Sequence, residues 1–221
     1  MGLHSPGSMR RLILLEPLDS SQMSHHRHSP EWRAVGASCA AAIACSAVAQ
    51  VTWHVDDDCR GPGSGTPADP FCTIQDAIDE ASDFDDVVVA PGTYFEAIDL
   101  SGKAISVRSA AGAKTTIIDA TGLGQVSVVT CDAGEGPDTL LEGFTLTGGR
   151  GTDPGDGVGR GGGMYVVGSG PTIADCVFTG NTAARGGGMY DSNGAPVLSG
   201  CVFTANAATS LGGECTVCRA A

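Results

Sequence analysis

The chain has 221 residues, with 33 Gly, 11 Pro, 9 Cys, 5% aromatics, and 25 acidic against 12 Lys and Arg side chains. At 42% hydrophobic and 17% charged it can bury a core, which excludes wholesale disorder, and its glycines follow no three-residue period, which excludes collagen. A formal charge of −13 leaves no basic face for a phosphate backbone, so nucleic acid is excluded as a partner.

Residues 34–49, AVGASCAAAIACSAVA, form an uncharged run of small and apolar side chains behind Arg33 and a His-rich stretch containing Arg27. The run ends in Ala47-Val48-Ala49, an A-x-A cleavage pattern, and is too short and alanine-rich for a membrane span. Residues 1–49 therefore read as a secretory signal with a long leading region, cut between Ala49 and Gln50, with Met9 or Met23 as alternative starts. Ala42-Ile43-Ala44-Cys45 is a looser lipobox and the weaker reading. The mature chain, residues 50–221, is one acidic domain without a transmembrane helix. It keeps seven cysteines, and in an oxidising compartment Cys59 and Cys72, which flank the turn-rich RGPGSGTPADPF, can close one short loop.

Next along the chain, Ile74, Ala77, Ile78 and Ala81 recur at helical spacing behind Thr73, which predicts one amphipathic helix over about 73–82 with Thr73 as N-cap and Asp76 at N3. A helix ahead of stacked coils is suited to covering their open end. Val87–Val89, Ile105–Val107, Ile117–Ile118 and Val126–Val128 are short strand candidates between glycine-containing turns.

The main signal is an internal repeat over about 160–209. Arg160-Gly-Gly-Gly-Met-Tyr165 recurs as Arg185-Gly-Gly-Gly-Met-Tyr190, Pro171 as Pro196, and Cys176-Val-Phe-Thr-Gly-Asn181 as Cys201-Val-Phe-Thr-Ala-Asn206, all 25 residues apart. A β-rich unit this short cannot bury its own apolar face and must stack on its neighbours. Cys176 and Phe178 alternate with Val177 in the period of a strand with one face inward. At about 3.3 Å per residue one unit makes a coil that suits a three-sided parallel β-helix, and no leucine-rich pattern competes with it. Phe144, Leu146 and Gly148 continue the series at a spacing of 32, so seven extra residues between Gly148 and Arg160 predict a loop inserted at one corner. After Leu211-Gly-Gly213 the repeat collapses into CTVCRAA, which reads as a truncated, uncapped end able to pair with another chain. Cys215 and Cys218 have no partner ligands for a zinc or redox role.

Phe71-Cys-Thr-Ile-Gln-Asp-Ala-Ile-Asp79, Asp86-Val-Val-Val-Ala-Pro-Gly-Thr-Tyr94 and Glu96 resemble the N-terminal cap and first coil of the right-handed parallel β-helix superfamily of pectate lyases. The Gly-Gly-Gly-Met and Phe-x-x-Asn units resemble the repeats of bacterial polymorphic outer-membrane proteins. These resemblances cover about residues 51–213. They imply an all-β, right-handed parallel β-helix with one capping helix, secreted or on a bacterial cell surface or outer membrane. They leave function open, because the fold carries lyases, hydrolases, epimerases, adhesins and proteins without known activity.

The candidate sites follow from the chemistry. The mature chain has one histidine, His54, in a first-strand position, so a Ser-His-Asp triad and a histidine-ligated zinc centre are unavailable. The lyase class would need carboxylates bridging Ca²⁺ to a uronate, for which Asp153, Asp156 and Asp175 are candidates, and a base, for which Arg160 and Arg185 are candidates. Gly148–Asp153 opens like a calcium nonapeptide but fails at Gly155, and Asp56-Asp57-Asp58 reads as an acidic turn. With Met164 and Met189 inward, Tyr165 and Tyr190 point out. They form either a platform with the arginines for a sugar acid or a ladder that stabilises the sheet. Asn181 and Asn206 should form an amide ladder, and Cys176 and Cys201 either a disulfide or two stacked thiols. The expected function is an exported surface or extracellular binding or structural module, associated with a polysaccharide or cell-envelope component. The alternative is a calcium-dependent, pectate-type lyase.

Overall fold

The structure, a computed structural model, describes residues 49–210. Residues 1–48 of the expected signal segment, and Cys215-Thr-Val-Cys218, lie outside the described residues. β1 (Thr52–Val55) precedes α1 (Ile74–Glu80), and the chain then winds in coils. The first coil is β2 (Asp86–Val89), β3 (Gly92–Tyr94) and β4 (Ile98–Asp99). The second is β5 (Ser106–Ser109), β6 (Thr116–Asp119) and β7 (Val129–Cys131). The third is β8 (Leu140–Glu142), β9 (Thr145–Thr147) and β10 (Met164–Val167). The fourth is β11 (Thr172–Ala174), β12 (Val177–Thr179), β13 (Thr182–Ala183) and β14 (Met189–Ser192). The last is β15 (Val197–Ser199), β16 (Val202–Thr204) and β17 (Ala207–Ala208).

These strands stack into three long parallel sheets. The first runs β1-β2-β5-β8-β11-β15, the second β3-β6-β9-β12-β16 and the third β4-β7-β10-β14, with β13-β17 a small ladder at the corner between the second and third. The result is the right-handed parallel β-helix that the repeat and the resemblance predict. Its coils are not uniform. Asp86 pairs with Ser106, Ser106 with Leu140, Leu140 with Thr172 and Thr172 with Val197, so only the last of these steps has the 25-residue spacing. The seven-residue excess of the third coil is a loop closed by a two-way bridge between Thr152 and Arg160. The expected strand at Val126–Val128 instead begins at Val129. The preceding residues pair irregularly with the glycine run, through Val128 N–H to the Gly162 carbonyl at 3.1 Å.

Inward columns form the core. Tyr94, Ile118, Leu146, Phe178 and Phe203 succeed one another in the second sheet, and all but Phe203 are buried. The Phe178 and Phe203 rings stack at 4.3 Å and 6°. Val87, Val107, Leu141 and Ile173 do the same in the first sheet, and Ile98, Val129, Met164 and Met189 in the third. The glycine triplet ahead of each methionine exists because coils touch backbone to backbone there. A Cβ at Gly163 would press on the Gly188 carbonyl and lie 2.8 Å from the Phe178 ring.

Fully buried Asn181 takes the Gly149 N–H on its Oδ1 at 3.0 Å and donates its Nδ2 to the Leu146 carbonyl at 2.8 Å. One coil on, Asn206 takes the Asn181 N–H at 3.1 Å and donates to the Phe178 carbonyl at 2.8 Å. The two amides also bond each other, Asn181 Nδ2 to Asn206 Oδ1 at 3.1 Å. Cys176 and Cys201 are free thiols rather than a disulfide, donating weakly to the Leu141 and Ile173 carbonyls. Burial pushes the Cys176 thiol up to about 12, so it stays protonated.

The N-terminal end is closed by α1, whose Ile74, Ala77 and Ile78 are buried. Thr73 caps it by accepting the Asp76 N–H at 3.1 Å, and the remaining free donors, Ile74 and Gln75 N–H, are taken by the Glu96 carboxylate at 2.8 and 3.0 Å. Cys59 and Cys72 are bonded across a separation of 13 residues with Cα atoms 5.3 Å apart, a loop closure that removes about 3 kcal/mol of unfolded-chain freedom. Buried Asp85 ties this end together, accepting from Val51 N at 2.7 Å, Ser82 N at 2.9 Å and Trp53 Nε1 at 3.2 Å. Buried Glu135 ties three coils at another corner, through Gly102 N, Ala133 N and Ser169 Oγ.

Two outcomes follow. Asn181→Ala leaves the Gly149 N–H and Leu146 carbonyl unpaired in the interior and is expected to cost about 2–6 kcal/mol in chemical denaturation, at about 1–3 kcal/mol per orphaned group. At Asp85 burial acts to raise the carboxyl, but the hydrogen bonds from Ser82, Val51 and Trp53 outweigh it and hold it below the ordinary value. Its stabilisation is therefore complete above the unfolded value of about 4 and lost as pH falls through the lower folded value. Asp85→Asn is expected to flatten that acid limb of the stability profile.

Candidate functional site

The outward column of the third sheet runs Asp99, Thr130, Tyr165, Tyr190. Tyr165 and Tyr190 stack with ring centroids 6.0 Å apart and planes within 10°. The alternation thus places both tyrosines on the outer face, but Tyr165 is only 6% exposed, a correction to the accessible platform. It lies between Thr130 and Tyr190 in the ladder. Burial pushes its hydroxyl up, against the Arg160 charge. Tyr190 is partly exposed.

Arg160 is also buried, at 9% exposure, and is not free to act as a base. Its guanidinium grips Asp156 with both terminal nitrogens, at 2.9 and 2.6 Å, donates to the Val158 carbonyl at 2.9 Å and sits 5.9 Å from the Tyr190 ring centre. The hydrogen bond to Asp156 raises the arginine further and, from the other side, pulls the Asp156 carboxyl down to about 2. The pair staples the 152–160 loop onto the third sheet. Arg185 bridges Arg160 in the next coil but has no such loop, and its Nε is buried without a hydrogen-bond partner among the described residues.

The proposed calcium ligands do not converge. Asp153 Oδ1 is occupied by three N–H donors, from Gly155, Asp156 and Gly157 at 2.8 to 3.0 Å, and so closes its own turn. Asp156 is committed to Arg160, and Asp175 is an exposed turn residue in the left-handed region at φ 49°. Among the described residues, three carboxylates come within ligand distance only at Asp56, Asp57 and Asp58. Two of these already accept backbone N–H groups, Asp56 from Asp58 and Asp57 from Thr93. His54 is a first-sheet strand residue, as expected.

The structure adds a feature that the sequence does not reveal. An open groove of about 430 Å³ lies at the corner where the chain leaves the second sheet for the third, lined by Gly124, Gln125, Arg150, Gly157, Gly159, Thr182, Ala183, Ala184 and Thr209. Its wall is laid down coil by coil. Arg150 N bonds the Val126 carbonyl at 2.7 Å, Ala184 N the Gly159 carbonyl at 3.0 Å and Thr209 N the Ala183 carbonyl at 3.0 Å. The inserted loop supplies Gly157 and Gly159, so the seven-residue excess deepens one side of the groove. Arg150 is exposed and, among the described residues, has no ion-pair partner. The lining offers a guanidinium, an amide and two hydroxyls but no carboxylate and no histidine. Such a wall can hold a hydroxyl-rich, negatively charged molecule and has no group to shuttle a proton for it.

No family model matches the chain, and no curated protein matches it. Among solved structures it is similar to a crystal structure of a pectin methylesterase mutant in complex with a hexasaccharide, at 17% sequence identity and a TM-score of 0.50. The match covers 71% of this chain, which spans half the length of that one. It shows the parallel β-helix fold.

Proposed function

We propose that this protein is an exported β-helix module that binds an acidic polysaccharide or a cell-envelope component bearing one, without turning it over. The observation that carries the reading is the groove beside the inserted loop, where Arg150, without an ion-pair partner among the described residues, stands with Gln125, Thr182 and Thr209 in a wall whose described lining holds no carboxylate or histidine. The hexasaccharide complex of the structurally similar pectin methylesterase supports a polysaccharide as partner for this architecture. The signal-like segment ending at Ala49 and the Cys59–Cys72 bond support export to the extracellular space or cell surface.

Binding of uronate oligosaccharides to the purified chain, followed by calorimetry, tests the reading. Arg150→Ala is expected to weaken binding about tenfold or more, as a charge-assisted hydrogen bond contributes about 1.5–3 kcal/mol, while Tyr165→Phe leaves it unchanged. The same protein is expected to give no unsaturated uronate ends with calcium or with a chelator. Calcium-dependent product would overturn the binding reading in favour of the lyase.

Asp156→Asn gives a separate readout. It removes the charge that Arg160 grips and is expected to make the 152–160 loop more susceptible to limited proteolysis without loss of the β circular-dichroism signal. Unchanged proteolysis would show that the pair does not hold the loop.

A further inference from the structure

The corner that carries the groove runs back through the two coils before Arg150. In the first coil it is residues 95–97, between β3 and β4, and in the second it is residues 120–128, between β6 and β7. Each presents a large apolar side chain, with Phe95 70% exposed and Leu123 46% exposed. A single exposed apolar residue is ordinary, but these two stand in consecutive coils and lead into the groove, because Leu123 is followed directly by Gly124 and Gln125 of its lining. Both are held by their neighbours. Tyr94 before Phe95 is buried and donates its hydroxyl to the Ala90 carbonyl at 2.9 Å, and the Glu96 carboxylate after it is fixed by the Ile74 and Gln75 N–H groups. The backbone of Phe95 is thus clamped on both sides while its ring stays open. Leu123 donates its own N–H to the Ala120 carbonyl at 3.2 Å and sits between Gly122 and Gly124, both in the left-handed region, at the tip of a turn.

We infer that the groove is one end of a longer site, in which an acidic sugar sits at Arg150 and neutral sugars continue along the helix axis over Leu123 to the ring of Phe95. The inference rests on the binding reading of the groove and adds the class of chain that fits it. Successive coils rise by about 4.8 Å, so Phe95 lies about 10 Å along the axis from Arg150. That rise is close to the length of one pyranose unit in an extended chain, so three coils match three sugars. The C–H face of a pyranose is apolar and covers an aromatic ring at the expense of water. A ring already clamped in place loses little freedom in receiving it. Charge sets the order of the sugars. Asp119 follows Ile118 as Phe95 follows Tyr94 in the paired strand, and its carboxylate, bound to the Thr121 N–H at 2.8 Å, stays on this side of the corner with Glu96. A second acidic sugar here meets like charge, whereas a neutral one does not. The chain that fits is a mixed polysaccharide, with acidic sugars spaced by neutral ones, rather than a uniform polyuronate.

Three probes separate these statements in nuclear magnetic resonance titrations of the full chain: glucuronic acid, an aldotriouronic acid in which one uronate is joined to two neutral pentoses, and a triuronate. The aldotriouronic acid is expected to bind at least tenfold more tightly than glucuronic acid, and the triuronate to gain less. Phe95→Ala, at an exposed position, is expected to remove the tenfold gain and leave glucuronic acid unaffected, while Phe95→Trp keeps it. Arg150→Ala is expected to weaken all three probes. Equal binding of the aldotriouronic acid by wild type and Phe95→Ala, with Arg150→Ala still weakening it, overturns this inference alone. A triuronate that binds more tightly than the aldotriouronic acid overturns the neutral assignment. Arg150→Ala without effect on any probe overturns the groove reading and this extension with it.

Discussion

The contact on which the rest depends is the approach of one coil's backbone to the next at the glycine-rich corner. Gly163 has no room for a Cβ between the Gly188 carbonyl and Phe178, and the amides of Asn181 and Asn206 bond the main chain one coil away and each other. Both features demand that the same residue recur directly above itself. Once that register is set, Phe203 falls on Phe178, Met189 on Met164 and Tyr190 on Tyr165 without further instruction. Hydrophobic columns supply most of the driving force, and the amide ladder satisfies the buried corner groups that would otherwise oppose it.

Function on such a scaffold comes from departures from the register. The seven added residues of the third coil cannot enter the stack and bulge outward as the 152–160 loop. One flank of the loop carries Asp156, which neutralises Arg160 and draws it against the tyrosine column. Gly157 and Gly159, farther along it, wall the groove in which Arg150 stands without an ion-pair partner among the described residues. A single insertion thus withdraws one arginine from solvent chemistry and leaves another available. The 25-residue step that follows has no insertion, and among the described residues Arg185 has no ion pair like that of Arg160.

The fold was legible because identity and spacing agreed over residues 160–209, and the helix because Ile74, Ala77 and Ile78 repeat at helical period in front of it. Glu96, whose carboxylate caps that helix from more than one strand away, gave no local sign. The early coils were harder to delimit, since their corner loops differ in length and strands such as Val129–Cys131 begin later than the apolar run implies. Alternation told inside from outside for Tyr165 but could not report how closely Thr130 and Tyr190 enclose it. The groove was invisible for a similar reason. Gln125, Arg150, Thr182 and Thr209 come from four different coils, and no motif links them until the corner is built. The spacing of Cys59 and Cys72 did point to their bond, whereas Cys176 and Cys201 left two outcomes open that only their carbonyl contacts resolve as free thiols.

The central claim is that ligand is held at the corner groove rather than on the tyrosine face. Hydrogen-exchange mass spectrometry of the chain with and without a uronate oligosaccharide compares the two surfaces in one measurement. The account predicts slowed exchange in the segments around Gln125, Arg150 to Gly159, Thr182 to Ala184 and Thr209. Protection confined to the segments around Tyr165 and Tyr190, with the groove segments unchanged, would contradict it.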